Sequence, residues 1–355
     1  MSAIGTQIAF EQVGDSDSVS QLIRSNAPRY WSYMKRHADL DPVRRYLKYE
    51  GAVAGDPHLG NFGPIPVTTQ QGRRKMQFVN IDFDDSGRGP FVLDYIRYAI
   101  AVKAQSKESR RWVLQEAYLA GLSGKKLAAP KQVQQYLDMK VSEYDEMAAS
   151  YSAKHTTETG FKLKEGSIEY YRAKIDKALI NDLFPNATVL DLARRAEARG
   201  GSMHEMRIWA LVEEKDGRRR IMELKEYATP GVASYSPQPT VKHWLVEIRK
   251  AFWPGLTGAE YDLITLAGTL FWVREKRVSL INVPYTNQAK HDREFVVALA
   301  IYDANILGLA HGRQLAAAEY IKAIKQDPKK FHRTTKQIAE TYLQLAEQAL
   351  AKENS

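Results

Sequence analysis

Two short apolar runs, each ending in a loop that carries carboxylates, constrain this chain more than any other feature. Gly51-Ala52-Val53-Ala54 leads into Gly55-Asp56-Pro57-His58-Leu59-Gly60-Asn61, and Met76-Gln77-Phe78-Val79-Asn80-Ile81 leads into Asp82-Phe83-Asp84-Asp85. Apolar runs of this length, bounded by Gly, Pro and Asn, read as short buried strands. Both acidic segments therefore sit at strand-to-loop exits, where their side chains can reach a ligand.

The rest of the chain is mostly helical in pattern. Residues 17–48 alternate apolar and charged positions at helical spacing after the cap residues Asp15, Ser16 and Asp17. The segments from Phe91 to Leu122, 130–150, 166–198, 240–252 and from Arg293 onward read as helices. Between them, residues 206–212 and 220–225 flank Lys215-Asp216-Gly217, a hairpin signal because Asp-Gly supplies the positive φ of a tight turn. Residues 270–283 contain a further β-like stretch. The expected organisation is a helical body over 1–198 holding both acidic loops, a small β-rich segment over 199–285, and C-terminal helices over 286–355 that return to the body.

Composition narrows the chemistry. The 355 residues include no cysteine, which excludes a disulfide framework, a thiolate zinc site and a cysteine nucleophile. The net charge of +9 favours acidic partners such as nucleotide phosphates. Neither a signal-like N-terminus nor an apolar run long enough to span a bilayer is evident, so a cytoplasmic protein without a membrane partner is expected. The basic run Lys325-Gln326-Asp327-Pro328-Lys329-Lys330 reads as a helix break with a solvated face, and nucleic acid is not expected as a partner.

Phosphoryl transfer to a hydroxyl requires a carboxylate that orients or accepts the attacking proton, and oxygen ligands that hold Mg²⁺ on the triphosphate. Asp56, Asn61 and Asp82 supply such a set. Asp56 and Asn61 lie five residues apart, so one tight loop can turn the carboxylate to an acceptor and the amide oxygen to a metal. His58 reads as a supporting residue of the catalytic loop, and Asp84 as either a second metal ligand or a solvated neighbour.

These motifs resemble the catalytic and metal loops of aminoglycoside phosphotransferases and related small-molecule kinases, whose pattern is HGDxHxxN followed by IDF. A narrower resemblance is to an uncharacterised bacterial kinase-like domain family with GDxHxxNFG, NDFDE, a Gly-Ser loop, a KEA-type strand and a late AHA or AHG motif. This chain shows Gly55 to Gly63, Asp82 to Asp85, Gly200 to Ser202, Lys225-Glu226-Tyr227 and Ala310-His311-Gly312 in that order. The resemblance implies an α+β, protein-kinase-like two-lobed fold and an enzyme using ATP and Mg²⁺. In it Asp56 is the catalytic base, Asn61 and Asp82 are metal ligands, and Asp94 is a structural acid beneath the loop.

Only about fifty residues precede the catalytic loop, too few for the β-rich nucleotide lobe that comes first in ordinary kinases. A circularly permuted arrangement is therefore expected, with Gly200, Gly201 and Ser202 at the phosphates, Lys225 pairing with them near Asp82, and Glu247 positioning Lys225. Arg274, Lys276 and His311 match positions of the family, with packing an equal explanation for each. Adenylyl transfer on the same fold, or an inactive nucleotide-binding regulatory protein, are the alternatives to phosphotransfer.

Overall fold

The computed structural model describes residues 18–69, 71–106, 111–162, 187–194, 205–254, 261–266, 268–276 and 293–353. Three N-terminal helices, α1 (Val19–Arg24), α2 (Ala27–Arg36) and α3 (Arg44–Leu47), precede two antiparallel ribbons. Strand β1 (Glu50–Val53) pairs with β4 (Gly87–Pro90), and β2 (Phe62–Thr68) pairs with β3 (Arg74–Asn80). The register sets Val53 opposite Gly87 and Phe62 opposite Asn80. The loops 54–61 and 81–86 therefore cross side by side from one ribbon to the other, tied by the Ile81 N–H to the Asn61 carbonyl at 2.8 Å.

Beneath the ribbons lies a helical body built on α4 (Phe91–Ser106), which is buried on every face from Phe91 to Val102. Such a helix must be enclosed by other elements. It is enclosed by α1, by α9 (Arg293–Gly312) and by α11 (Pro328–Glu353), while α5 (Arg111–Leu122), α6 (Lys131–Leu137), α7 (Val141–His155) and α10 (Ala317–Gln326) complete the layer. Helices α5 and α9 touch almost backbone to backbone. A Cβ added at Gly121 would lie 2.2 Å from the Asn305 carbonyl oxygen, and one added at Gly308 would lie 2.2 Å from that of Tyr118. Helix α9 is long and apolar enough by composition to cross a membrane, which the sequence pattern did not suggest, but 78% of the relevant window is buried inside the protein.

The third unit is a five-stranded antiparallel sheet of order β5-β6-β7-β9-β8, formed by β5 (Ala187–Arg194), β6 (Arg207–Glu214), β7 (Arg219–Glu226), β8 (Tyr261–Leu266) and β9 (Thr269–Glu275). The expected hairpin is present, and Gly217 turns it with φ of 79°. On β7, Met222 and Leu224 face one apolar core with Ile208, Phe271 and Val273. Glu223 and Lys225 face the other side, because strand side chains alternate. Helix α8 (Val241–Phe252) connects β7 to β8, and its Trp244, Leu245, Ile248, Ala251 and Phe252 join the core of the helical body.

One expectation needs correction. Residues 187–194 form a strand rather than the end of a helix, so the sheet begins before residue 199. A register shift between Val189 and Asp191 explains the misreading. The bulge places Val189 and Leu192 in one core while Leu190 and Ala193 face another. The resulting spacing of three imitates a helix. Strand β8 carried no strong sequence signal, and the β-like stretch from 270 is a strand only through Glu275 within the described residues. Residues 163–186 and 277–292 lie outside them.

Candidate active site

The first loop is held from below. Asp94, in the first turn of α4, accepts the Ala54 N–H on Oδ2 at 3.0 Å and the Gly55 N–H on Oδ1 at 2.9 Å. His311 Nε2 donates to Oδ2 at 3.1 Å, and the His311 Nδ1 meets the Tyr118 hydroxyl at 2.8 Å. Asp94 and His311 are both fully buried, so this chain of bonds runs from α5 and α9 through the interior to the loop backbone. His311 is thus a buried strut outside the cleft lining, and Asp94 occupies the place beneath the loop that the resemblance implies. Gly55 has φ of 80°, and a Cβ there would sit 1.8 Å from the Asp85 carbonyl oxygen. Only glycine permits the two loops to approach this closely.

Asp56 is 7% exposed, and its Oδ1 receives Arg97 Nε at 2.9 Å and Nη2 at 2.6 Å. Burial raises its pKa above the ordinary aspartate value, and outweighs the opposing charges of Arg97 and Arg24. Asn61 donates from Nδ2 to the Asp56 carbonyl at 2.9 Å, which leaves its Oδ1 as an acceptor. His58 accepts the Gly60 N–H on Nδ1 at 3.0 Å, while its Nε2 lies 3.8 Å from Asp56 Oδ2. Burial, with Arg24 and Arg97 adding to it, pushes the imidazole pKa well below its usual value. A ring whose Nδ1 lone pair is used on the Gly60 N–H braces the loop, in keeping with a supporting residue.

The second loop is positioned by its own amides. Asn80 Oδ1 accepts the Asp82 N–H at 3.0 Å, and the Trp253 indole donates to the Asn80 carbonyl at 2.5 Å. Phe83 is wholly buried against Phe252 and Trp253. With Phe83 anchored inward, Asp82 and Asp84 stay at the cleft. Burial and then the neighbouring Asp84 push the Asp82 carboxyl up to about 6. For Asp84 burial acts in the same upward direction, but Lys225 prevails and holds it below the ordinary value. Asp85 accepts the Gly231 N–H at 2.9 Å, and burial followed by Asp56 and Asp84 pushes it up to about 7.

The sheet faces this loop with its polar side. Lys225, 4% exposed, pairs with Asp84 Oδ2 and with Glu205 Oε2, the latter at 2.8 Å. The expected proximity of Lys225 to the Asp82 loop is therefore present. The acids against Lys225 are Asp84 and Glu205, not Glu247, which lies half-buried on α8. Next to Lys225 on the same strand face, fully buried Glu223 accepts Arg274 on Oε1 at 2.9 and 2.8 Å and Lys276 on Oε2 at 3.1 Å. Trp209 donates to Oε2 at 3.1 Å, and Arg207 lies 3.6 Å from Oε1. Although burial opposes ionisation of Glu223, Arg274, Lys276 and Arg207 hold its pKa well below the usual range. Arg274 and Arg207 also lower the pKa values of both Asp82 and Asp84, so a basic sheet face meets an acidic loop.

Asp56, His58, Asn61, Asp82, Asp84, Asp85, Glu205 and Lys225 line one cleft of about 660 Å³, closed on its other side by Ser18, Ser20, Gln21, Arg24 and Ser25 at α1. Gly200, Gly201 and Ser202 lie outside the described residues. Among the described residues no group of three His, Cys, Asp or Glu side chains is placed to enclose a metal alone. Asp82, Asp84 and Asn61 line this cleft and offer hard oxygen donors of the kind Mg²⁺ takes, alongside the water and phosphate oxygens it keeps in its shell. Burial and then repulsion from Asp84 raise Asp82, and a divalent cation would favour its charged form against both.

Sequence reasoning missed Arg97, Glu205, Arg207 and Glu223. Glu223 was within reach, since its position two residues before Lys225 on a strand puts both on one face. Arg97 had no signal beyond its place three residues after Asp94. Comparison with protein-family models, curated proteins and solved structures finds no match to this chain.

Proposed function

We propose that the chain is a Mg·ATP-dependent phosphotransferase acting on a hydroxyl of a small-molecule acceptor, on a kinase-like fold whose nucleotide-binding sheet follows the catalytic loop in sequence. The observation that carries this reading is the contact of Lys225 with Asp84 in the cleft that also holds Asp56 and Asn61. A lysine delivered by a separate sheet to a metal-type carboxylate loop is the pairing that phosphoryl transfer uses to hold a triphosphate.

In this reading Asp82, Asp84 and Asn61 hold Mg²⁺, and Lys225 exchanges part of its contact with Asp84 for phosphate oxygens. Mg·ATP bound there supplies the transferable phosphoryl group. Asp56 orients the acceptor hydroxyl with Oδ2, the oxygen that Arg97 does not take, and its burial-raised proton affinity suits a group that must accept a proton. Arg97 fixes the carboxylate plane, and the Asp94–His311 strut fixes the backbone that carries it.

The test is a nucleotide-binding titration combined with ATP turnover across hydroxyl-bearing acceptors. Asp56→Asn is expected to abolish acceptor-dependent turnover and change Mg·ATP affinity by no more than about threefold. Asp82→Ala is expected to weaken Mg·ATP binding by tenfold or more, on the order of 1.4 kcal/mol. If Mg·ATP neither binds nor shifts the melting temperature of the native chain, the proposal is wrong. Mass analysis of the modified acceptor separates phosphoryl from adenylyl transfer.

A further inference from the structure

A second cavity, of about 370 Å³, shares no lining residue with the cleft and differs from it in charge. Its floor is apolar, made by Phe78 of β3, Phe252 at the end of α8, and Ile306 and Leu309 of α9. Three cations border it from separate parts of the chain: Lys75 on β3, Lys126 beyond α5 and Arg313 beyond α9. No Asp or Glu lines it, and among the described residues no ion pair reaches any of the three. Two other cavities each mix acids with bases, the cleft through Asp56, Asp82 and Asp84, and the cavity beside β7 through Asp145, Glu214 and Glu275.

We infer that this cavity is a binding site for a small organic anion, a carboxylate or phosphate ester with an apolar body. Three like charges held around one opening repel one another, and proteins compensate clustered charge with counter-ions or ligands. The repulsion is visible here: partial burial, then Lys75 and Arg313, lower the pKa of Lys126. Arg313 is held in place by its Nη1 donating to the Ala251 carbonyl at 2.8 Å, so one charge is fixed at the rim before any ligand arrives. The apolar floor gives an alkyl or aromatic group somewhere to leave water, at about 25 cal/mol per Å² buried. The volume lies within the range of small-molecule sites.

Isothermal titration of the full chain at low ionic strength tests this with phenyl phosphate, benzoate, inorganic phosphate and benzyl alcohol as probes. Saturable binding of phenyl phosphate or benzoate, tighter than that of inorganic phosphate, with no binding of benzyl alcohol, is expected. Whichever of the two organic anions binds tighter identifies the head group as phosphate or carboxylate. Lys126→Glu and, separately, Lys75→Glu are expected to weaken that binding about tenfold without lowering the unliganded melting temperature, since both side chains are at the surface and each change relieves like-charge repulsion. Lys225→Met, in the cleft, is expected to leave it intact. Binding of neither organic anion, equal binding of benzyl alcohol or inorganic phosphate, full affinity in both charge-reversed variants, or loss of binding in Lys225→Met would each overturn the assignment.

Discussion

Replacing Lys225 by Met isolates the contact between the sheet and the acidic loop. In the native protein the ammonium, 4% exposed, lies against Asp84 and Glu205, and the charge of Asp82 also stabilises it. Removing it leaves two or three carboxylates facing one another across a cleft. Breaking one side of a buried ion pair costs about 3–5 kcal/mol, because the remaining charge is left without its partner. Water reaches this cleft and the acids can take up protons, so about 2 kcal/mol is the reasonable figure at pH 8. For a chain of this length that corresponds to a melting temperature lower by roughly 3 °C.

The pH dependence separates this cause from a packing defect. Asp84 has a pKa lowered by Lys225, so its contribution to stability is present above the ordinary carboxyl pKa and disappears as pH falls through the lowered value. Without Lys225 its carboxyl is expected to behave like that of Asp82, which is raised to about 6. A raised acid contributes stability fully present below its unfolded pKa and lost as pH rises through the raised value. The variant should therefore already lag the native protein at pH 5, where the native Asp84 contribution is present, and between pH 5 and 8 the deficit should widen as pH rises through about 6. Thermal melts across that range, with and without Mg²⁺, measure both effects. A deficit of constant size from pH 5 to pH 8 would refute the electrostatic explanation, and no deficit at all would show that the contact contributes nothing.

Two further substitutions probe the loops. Asp85→Asn removes a carboxyl raised to about 7, whose favourable contribution is lost between the ordinary carboxyl pKa and neutrality, so in denaturant titrations the variant should gain most over native at pH 8 and less at pH 5. Gly55→Ala forces a side chain into positive φ and into the Asp85 carbonyl, and should destabilise by at least about 3 kcal/mol, read as a lower urea midpoint at unchanged slope. Asp94→Ala orphans two buried backbone amides and His311, for an expected loss of about 3 kcal/mol or more by the same titration; an unchanged midpoint would show that the strut does not hold the loop.

What could be read from the sequence divides by the range of the interactions. The strand exits that carry Asp56 and Asp82, the Lys215-Asp216-Gly217 hairpin and the helices α4, α8, α9 and α11 were all legible because periodicity and turn chemistry are local. Strand β5 was not, because a bulge gives it helical spacing, and β8 was not, because a strand paired on one side only needs little pattern of its own. The two acidic loops could be read as one site because both leave short strands, but their crossing depends on pairing between β1 and β4 across the 33 intervening residues.

The partner of Lys225 shows where the local signals end. Lys225 fits equally well on a strand's solvent face, and its neighbour Glu247 lies at a plausible sequence distance for an ion pair. The choice is made by the register of β7 against β6 and β9, which aligns Lys225 with Arg207 and Trp272, and Glu223 with Trp209 and Arg274. With that register, one face of the sheet sets Arg207 and Arg274 against buried Glu223 and Lys225 beside them against Glu205 and Asp84, leaving a surplus of positive charge toward Asp82 and Asp84. A surplus of this sign has no use in packing, since apolar residues at the same positions would avoid the cost of desolvating the ions. It does suit a face that holds a polyanion against a carboxylate loop, and this charge arrangement is what supports the proposal of nucleotide phosphates between them.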